Sequence, residues 1–339
     1  MANRNTVERR GGRGFAVVRV LTLLGALLIA APAPASLLEA EGARAFIDEV
    51  AERHDLNAAE LRGIFRGLEH RDAVIEAIRD PAEALPWYRY RPIFVTADRA
   101  ARGAAYQAQH ANTLARAEAE YGVPAEIIVA IIGVETGYGA HTGEHPVLAT
   151  LATLAFAYPP RSDFFRSELE HFLLLARDEG VDPTAVKGSY AGAMGIPQFI
   201  ASSYRRYAVD FSGDGERDLL GSDADAIGSV ANYLAEHGWR RGEPIAAPAS
   251  AGDNAYAELV GTGLETDIRG ADLRAADVEV EHQPVDDAAI MLLELEGEDG
   301  HELWVGWENF RVITRYNHSP LYALATFELA ERIAALMED

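Results

Sequence analysis

The chain has no cysteine in 339 residues. No disulfide is therefore available, and no lipid can be attached through a thiol. Positive charge is scarce as well: 30 Lys and Arg stand against 53 Asp and Glu, a formal charge of −23. That balance argues against nucleic acid as a partner, because nucleic acid needs basic surface. It argues equally against simple electrostatic adhesion to an anionic membrane or wall, and the acidic surplus reads as solubility. The apolar runs Val20–Ala30 and Ile127–Val134 both fall short of the roughly 20 residues that cross a bilayer. The glycine-rich stretch Lys187–Phe199 lacks the Gly-Lys-Ser/Thr ending of a phosphate-binding loop. No internal repeat is visible.

What is present describes a globular protein, 49% hydrophobic and 24% charged, long enough for two or three modest domains. Residues 1–35 read as an export signal. Arg4, Arg9, Arg10, Arg13 and Arg19 make a basic start, Val20–Ala30 an apolar run, and Ala33-Pro34-Ala35 a cleavage site before Ser36. Arg9-Arg10 leaves the twin-arginine route open. This segment carries a net +4, so its removal takes the formal charge from −23 to −27.

The chain is organised around Ile127–Gly139. Eight consecutive residues from Ile127 to Val134 lack a polar side chain, and Glu135 follows. Pro124 suits a helix start, which predicts a helix from about Pro124 to Glu135. It is apolar all round and hence buried on every side, and Gly137 and Gly139 break it. A carboxyl group half sunk in apolar surroundings has its charged form disfavoured, which is how a general acid stays protonated near neutral pH. The plain alternative is a helix-terminal glutamate reaching solvent, and this stretch alone does not separate the two.

Upstream, Leu37 to about Gly122 is helical in pattern. Asn57-Ala58-Ala59-Glu60 reads as a capping box, and a single helix is expected from about Ala97 to Tyr121. Pro86–Pro92, with Trp87, Tyr88 and Tyr90, reads as an irregular aromatic stretch. Downstream, Ser162 is placed to cap a helix burying Phe165, Leu169 and Phe172. Asp210-Phe211-Ser212-Gly213-Asp214-Gly215-Glu216 sets oxygen ligands and a turn glycine as an EF-hand loop does, but Gly221 stands where the bidentate glutamate belongs. Asp223 or Asp225 could close a longer loop; an acidic turn without an ion is the alternative. From Glu243 the character changes, with strand-like runs at Val278–Val280, Ala289–Leu295 and Leu303–Trp307, and Pro244–Asn254 as their lead-in. A last helix runs to the C-terminus.

Four motifs then occur in order: Glu135-Thr136-Gly137-Tyr138-Gly139, Lys187-Gly188-Ser189 through Gly195 with Gln198, Asp210–Gly215, and Arg315-Tyr316-Asn317-His318-Ser319. Together they resemble the membrane-bound lytic murein transglycosylase B family, from about Trp87 to the C-terminus. The resemblance implies a mainly α protein. A signal peptide (1–35) precedes a helical domain (36–115, completed by 323–339), a lysozyme-like core (116–242, completed by 308–322) and a small β domain (243–307). It implies cleavage of peptidoglycan between N-acetylmuramic acid and N-acetylglucosamine without water, giving 1,6-anhydro ends. Glu135 matches the family's sole catalytic carboxylate, acid first and base second; a hydrolytic muramidase or a non-catalytic glycan-binding wall protein are the rival readings. By the same matching, Ser189, Gln198, Tyr90, Arg161, Tyr233, Tyr316, Asn317 and Tyr322 fall at saccharide-contacting positions. Asp210, Ser212, Asp214, the Glu216 carbonyl and Asp225 fall at the ligands of one structural calcium, and no organic cofactor is implied. Pro160 replaces the first of two arginines and Phe164 a frequent tyrosine, which changes one side of the cleft. Without cysteine this is an unanchored periplasmic form, expected as a monomer whose partners are glycan strands and other cell-wall enzymes.

Overall fold

The computed structural model describes residues 36–79, 84–252, 254–261 and 264–338; the expected signal peptide lies outside them. Among these residues the chain is mainly α, with small antiparallel β elements, and no helix is long and apolar enough to cross a membrane. The leading helices are α1 (Ala43–His54), α2 (Ala58–Arg66), α3 (Asp72–Ala77), α4 (Trp87–Phe94), α5 (Ala97–Gln109) and α6 (Ala111–Tyr121). Asn57 caps α2 as expected, its Oδ1 accepting from the Ala59 and Glu60 amides.

Two expectations here are corrected. Pro86–Pro92 is not irregular: α4 runs through it, with Pro86 as its N-cap and Pro92 inside. Trp87 and Tyr90, both 1% exposed, bury a common face, and that burial overrides the proline. The helix expected over Ala97–Tyr121 is two helices, because His110 leaves helical geometry at φ −109°, ψ 20°. Its ring lies 4.4 Å from that of Tyr106.

The centre of the molecule is α7 (Ala125–Thr136), whose residues Ile127–Val134 are all buried. Helices α5, α6, α11 (Asp223–Glu236) and α14 (Pro320–Glu338) pack around it. That explains its lack of a polar face, since each side meets another helix. Next come α8 (Val147–Ala157), α9 (Ser162–Asp178) and α10 (Ala201–Tyr207). Ser162 does not cap α9; it is the first helical residue, and its hydroxyl donates back to the Ala155 carbonyl at 2.8 Å. A two-stranded ribbon pairs β1 (His145–Pro146) with β2 (Lys187–Gly188).

The five-stranded sheet contains β3 (Ala246–Ala251), β4 (Ile268–Arg269), β5 (Val278–Val280), β6 (Ala289–Glu296) and β7 (His301–Gly306), in spatial order β4-β6-β7-β3-β5. Strand β3 lies in the segment expected only as a lead-in; its small Ala, Pro and Ser residues carry little strand signal. The sheet is buried on both faces. Met291 and Leu293 join the main core, while Ile290, Leu292 and Val305 form a second small core with Leu273 and Trp307. Period-two alternation therefore separates two apolar surfaces, and β6 reads as a continuous hydrophobic run. Finally, α12 (Gly270–Ala275) borders the sheet, and α13 (Glu308–Tyr316) leads into α14.

Candidate active site

Glu135 is the penultimate residue of α7 and is half-buried. The helix stops at Gly137, whose left-handed φ of 58° lets its amide return to the Gly133 carbonyl. Tyr138 is also left-handed, at φ 66°, an unusual state for a bulky residue. The surroundings hold it there. Its hydroxyl donates to the Arg99 carbonyl of α5 at 2.8 Å, and its ring rests where Gly133 and Gly103 have no side chains. A Cβ at either glycine would come within 2.6 Å of the Tyr138 hydroxyl oxygen. On the other side, the Thr136 hydroxyl donates to the Ile196 carbonyl and accepts from the Gly139 amide, each at 2.9 Å.

Tyr322 of α14 makes the direct contact: its hydroxyl donates to Glu135 Oε1 at 2.6 Å. Tyr322 is 2% exposed, and its ring stacks parallel to that of Tyr316, 6.4 Å away. Burial first, then the charge of Glu135, push the phenols of Tyr316 and Tyr322 well above the ordinary phenol range. Both remain neutral donors at any working pH.

Glu135 opens into a cavity of about 680 Å³. Ser189, Gln198, Tyr233, Tyr316, Asn317 and Arg161, all expected from the sequence, line it. Ser189 Oγ accepts from the Ala191 and Ala193 amides, so its proton is left for a ligand. Gln198 Nε2 donates to the Thr142 and Gly195 carbonyls at 3.0 and 2.9 Å, which turns Oε1 into the available acceptor. Tyr233 and Tyr316 spend their hydroxyls on the Arg315 and Pro197 carbonyls, both at 2.6 Å, and offer their rings. With Phe199 they form an aromatic wall whose centroids lie 4.9–5.8 Å apart. The loop below is drawn in at Gly195 (φ 72°), where a Cβ would meet the Leu219 carbonyl oxygen at 2.1 Å.

On the altered side, the Arg161 guanidinium lies 4.3 Å from the Phe164 ring centroid, in cation–π contact. Two of the expected residues stand elsewhere. Tyr90 is 1% exposed, packed against Trp87 and Phe94, and Tyr322 stands behind Glu135; neither lines the cavity. Lining residues to which the sequence had assigned no saccharide contact include Phe165, Tyr190, Phe199, Arg315 and His318. Four of these sit inside or beside the recognised motifs, and that adjacency was the available signal. Among the lining residues Glu135 is the sole carboxylate.

At the acidic loop, carboxylate oxygens of Asp210, Asp214 and Asp225 lie within 4.8 Å of one another. Asp225 is fully buried and accepts the Phe211, Ser212 and Asp218 amides. Asp210 accepts the Gly213, Asp214 and Gly215 amides, which, led by Gly215, hold its carboxyl below the usual range. Ser212 Oγ points to Asp210 Oδ1 at 3.2 Å.

The model of the transglycosylase SLT domain matches residues 39–331. Membrane-bound lytic murein transglycosylase B of Escherichia coli K12 is 41% identical over 302 residues, covering 86% of this chain and 82% of that protein. Among solved structures, soluble lytic transglycosylase SltB1 of Pseudomonas aeruginosa is 46% identical, with a TM-score of 0.82 over 87% of this chain and 99% of that one. Escherichia coli Slt35 in complex with calcium is 40% identical, with a TM-score of 0.83 over 90% and 96%. SltB3 of Pseudomonas aeruginosa in complex with NAG-anhNAM-pentapeptide is 34% identical, with a TM-score of 0.76 over 86% and 78%. With matches of this extent over a mainly α, lysozyme-like fold, the chain belongs to the transglycosylase SLT domain family and is a lytic transglycosylase.

Proposed function

We propose that this enzyme cleaves peptidoglycan strands between N-acetylmuramic acid and N-acetylglucosamine, with Glu135 as its single catalytic carboxylate. The observation that carries the reading is the solitude of Glu135 in its cavity. A two-carboxylate glycosidase needs a partner within about 5–10 Å, and no lining residue supplies one. The Glu135 proton passes to the glycosidic oxygen as its bond to C1 of the muramoyl residue breaks. The resulting carboxylate then takes the proton of that residue's C6 hydroxyl, and the oxygen closes on C1. One C–O bond is exchanged for another, Glu135 ends protonated, and no water is consumed. An internal nucleophile has a high effective molarity, which makes a second carboxylate unnecessary. The Ser189 hydroxyl and Gln198 Oε1 are placed to bind sugar hydroxyl and amide groups, and the aromatic wall to stack on a ring face.

Mass spectrometry of muropeptides released from purified sacculi tests this reading. The products should be lighter by one water than those of a lysozyme digest; predominantly reducing ends would make the enzyme a hydrolase using the same acid. Glu135→Gln keeps the shape and removes the proton, so turnover should fall at least about 10²-fold; near-normal rates would remove Glu135 from the role.

We also infer one structural calcium at Asp210, Ser212, Asp214, the Glu216 carbonyl and Asp225. Three carboxylates converge with no arginine or lysine paired to them among the described residues, and an all-oxygen set suits a hard cation. The crystallised relative that carries calcium supports it. The ion would tie the loop after α10 to the start of α11 and take no part in the proton transfers. The division into helical domain, core and β domain drawn above, and export to the periplasm as an unanchored monomer, complete the proposal.

A further inference from the structure

We propose that the crevice between the sheet and helices α4 and α14 is a second glycan-binding site, separate from the catalytic cavity. It encloses about 570 Å³ and shares no lining residue with the Glu135 cavity. That volume is within the usual range of small-ligand sites.

Strand β7 builds it. Alternation turns Glu302 and Trp304 toward the helices while Val305 enters the sheet's own core. Glu302 is occupied by the Trp87 indole N–H at 3.2 Å. Trp304 stands edge-on to Phe327 of α14, centroids 6.5 Å apart at 81°, and is partly exposed. The other three tryptophans, Trp87, Trp239 and Trp307, are 1%, 9% and 7% exposed. Its cross-strand neighbours differ in size: Pro248 lies opposite it in β3, while the buried Leu293 lies opposite it in β6. On the β3 side the indole is therefore partly open to the crevice, and its N–H donates to no group among the described residues.

The rim supplies the polar groups. Arg91 and Glu328 pair at 2.5 Å, Arg332 lies alongside, and Glu243, Glu281, His282 and Glu331 complete it. Four glutamates against two arginines disfavour phosphate, nucleic acid or an anionic lipid. A partly exposed indole ringed by carboxylate acceptors and guanidinium donors suits a neutral, polyhydroxylated ring: its C–H face stacks and its hydroxyls find partners. The occupant is a stretch of uncharged glycan, and the site would hold the enzyme on its polymer between cuts. Only the choice of ligand rests on the proposed function.

The test uses the full chain carrying Glu135→Gln, titrated with a neutral chitotetraose. Calorimetry should find two sites, and tryptophan emission should change. Adding Trp304→Phe, which preserves the packing on Phe327, should abolish the emission change. Adding Trp304→Ala should weaken the second site and retention on sacculi about tenfold, leaving one site. One site in the parent, an emission change that survives Trp304→Phe, or unaltered retention in Trp304→Ala overturns the proposal. So does an emission change produced by a free stem peptide and not by chitotetraose. Failure of the wild-type enzyme to release anhydro products would overturn the proposed reaction and leave this site standing.

Discussion

The hydroxyl of Tyr322 reaches Glu135 Oε1 from 187 residues away, and the carboxyl group's orientation depends on it. A hydrogen bond to a charged group is worth about 1.5–3 kcal/mol. Tyr322→Phe keeps the ring against Tyr316 and removes that bond. It should lower kcat about tenfold or more in a digestion assay with KM nearly unchanged; an unaltered kcat would show that the contact does not position the acid. The buried phenols also set an alkaline limit. Tyr316 and Tyr322 lie well above the ordinary range, and burial pushes Tyr138 and Tyr204 up to about 12. An unfolded tyrosine releases its proton near 10, so above that pH the unfolded chain holds fewer protons than the folded one and stability falls as pH rises. The melting temperature should drop between about pH 10 and 12, with phenolate absorbance appearing together with unfolding. Phenolate that forms well before unfolding would contradict the burial of these rings.

Within α7, Gly133 shows how packing can reverse a helix propensity. Alanine in a helix interior is ordinarily better than glycine by about 1 kcal/mol. Here the added Cβ would sit 2.6 Å from the Tyr138 hydroxyl and 2.7–2.8 Å from its ring, and the same hydroxyl lies 2.6 Å from where a Cβ at Gly103 would stand. Gly133→Ala should therefore destabilise, by the 1–3 kcal/mol typical of overpacking, and lower the melting temperature by several degrees. Tyr138→Phe loses only the bond to the Arg99 carbonyl and should cost about 1 kcal/mol. A rise in melting temperature for Gly133→Ala would mean that the Tyr138 ring moves aside freely. Because Tyr138 lies three residues beyond Glu135, activity should fall further in Gly133→Ala than in Tyr138→Phe.

On the scale of the whole molecule, the acidic loop joins α10 to α11, and α11 packs on α7. A ligand that binds only the folded state at about 100 times its dissociation constant adds roughly 2.7 kcal/mol. Chelation should lower the melting temperature by several degrees, with activity far below melting nearly constant. Asp214 and Asp225 should then behave differently. Asp214 Oδ1 holds one local amide, that of Glu216, so Asp214→Ala should erase most of the calcium-dependent shift. Asp225 is buried beneath three amides, so Asp225→Ala should destabilise the chain even in chelator. Identical wild-type melting curves in excess chelator and in millimolar calcium would reduce the site to an acidic turn.

Local chemistry made much of this legible from residues alone. The unbroken apolar run of α7, the Asn57 cap, the runs that became β5, β6 and β7, and the order of four short motifs all depend on near neighbours in the chain. The weaker signals went astray where burial outvoted propensity: α4 formed through Pro92 because Trp87 and Tyr90 share a buried face, and β3 was hidden in Ala-Ala-Pro-Ala-Ser-Ala. Which groups would meet Glu135 was a tertiary decision. Side chains from α7, α9, the glycine-rich loop, α11 and α13 converge on one cavity, and the hydroxyl of Tyr322 arrives from α14 to meet the carboxylate. Periodicity along the chain says which face of a helix is apolar. It does not say which distant helix covers that face, because that is settled by how all the helices fill one volume together.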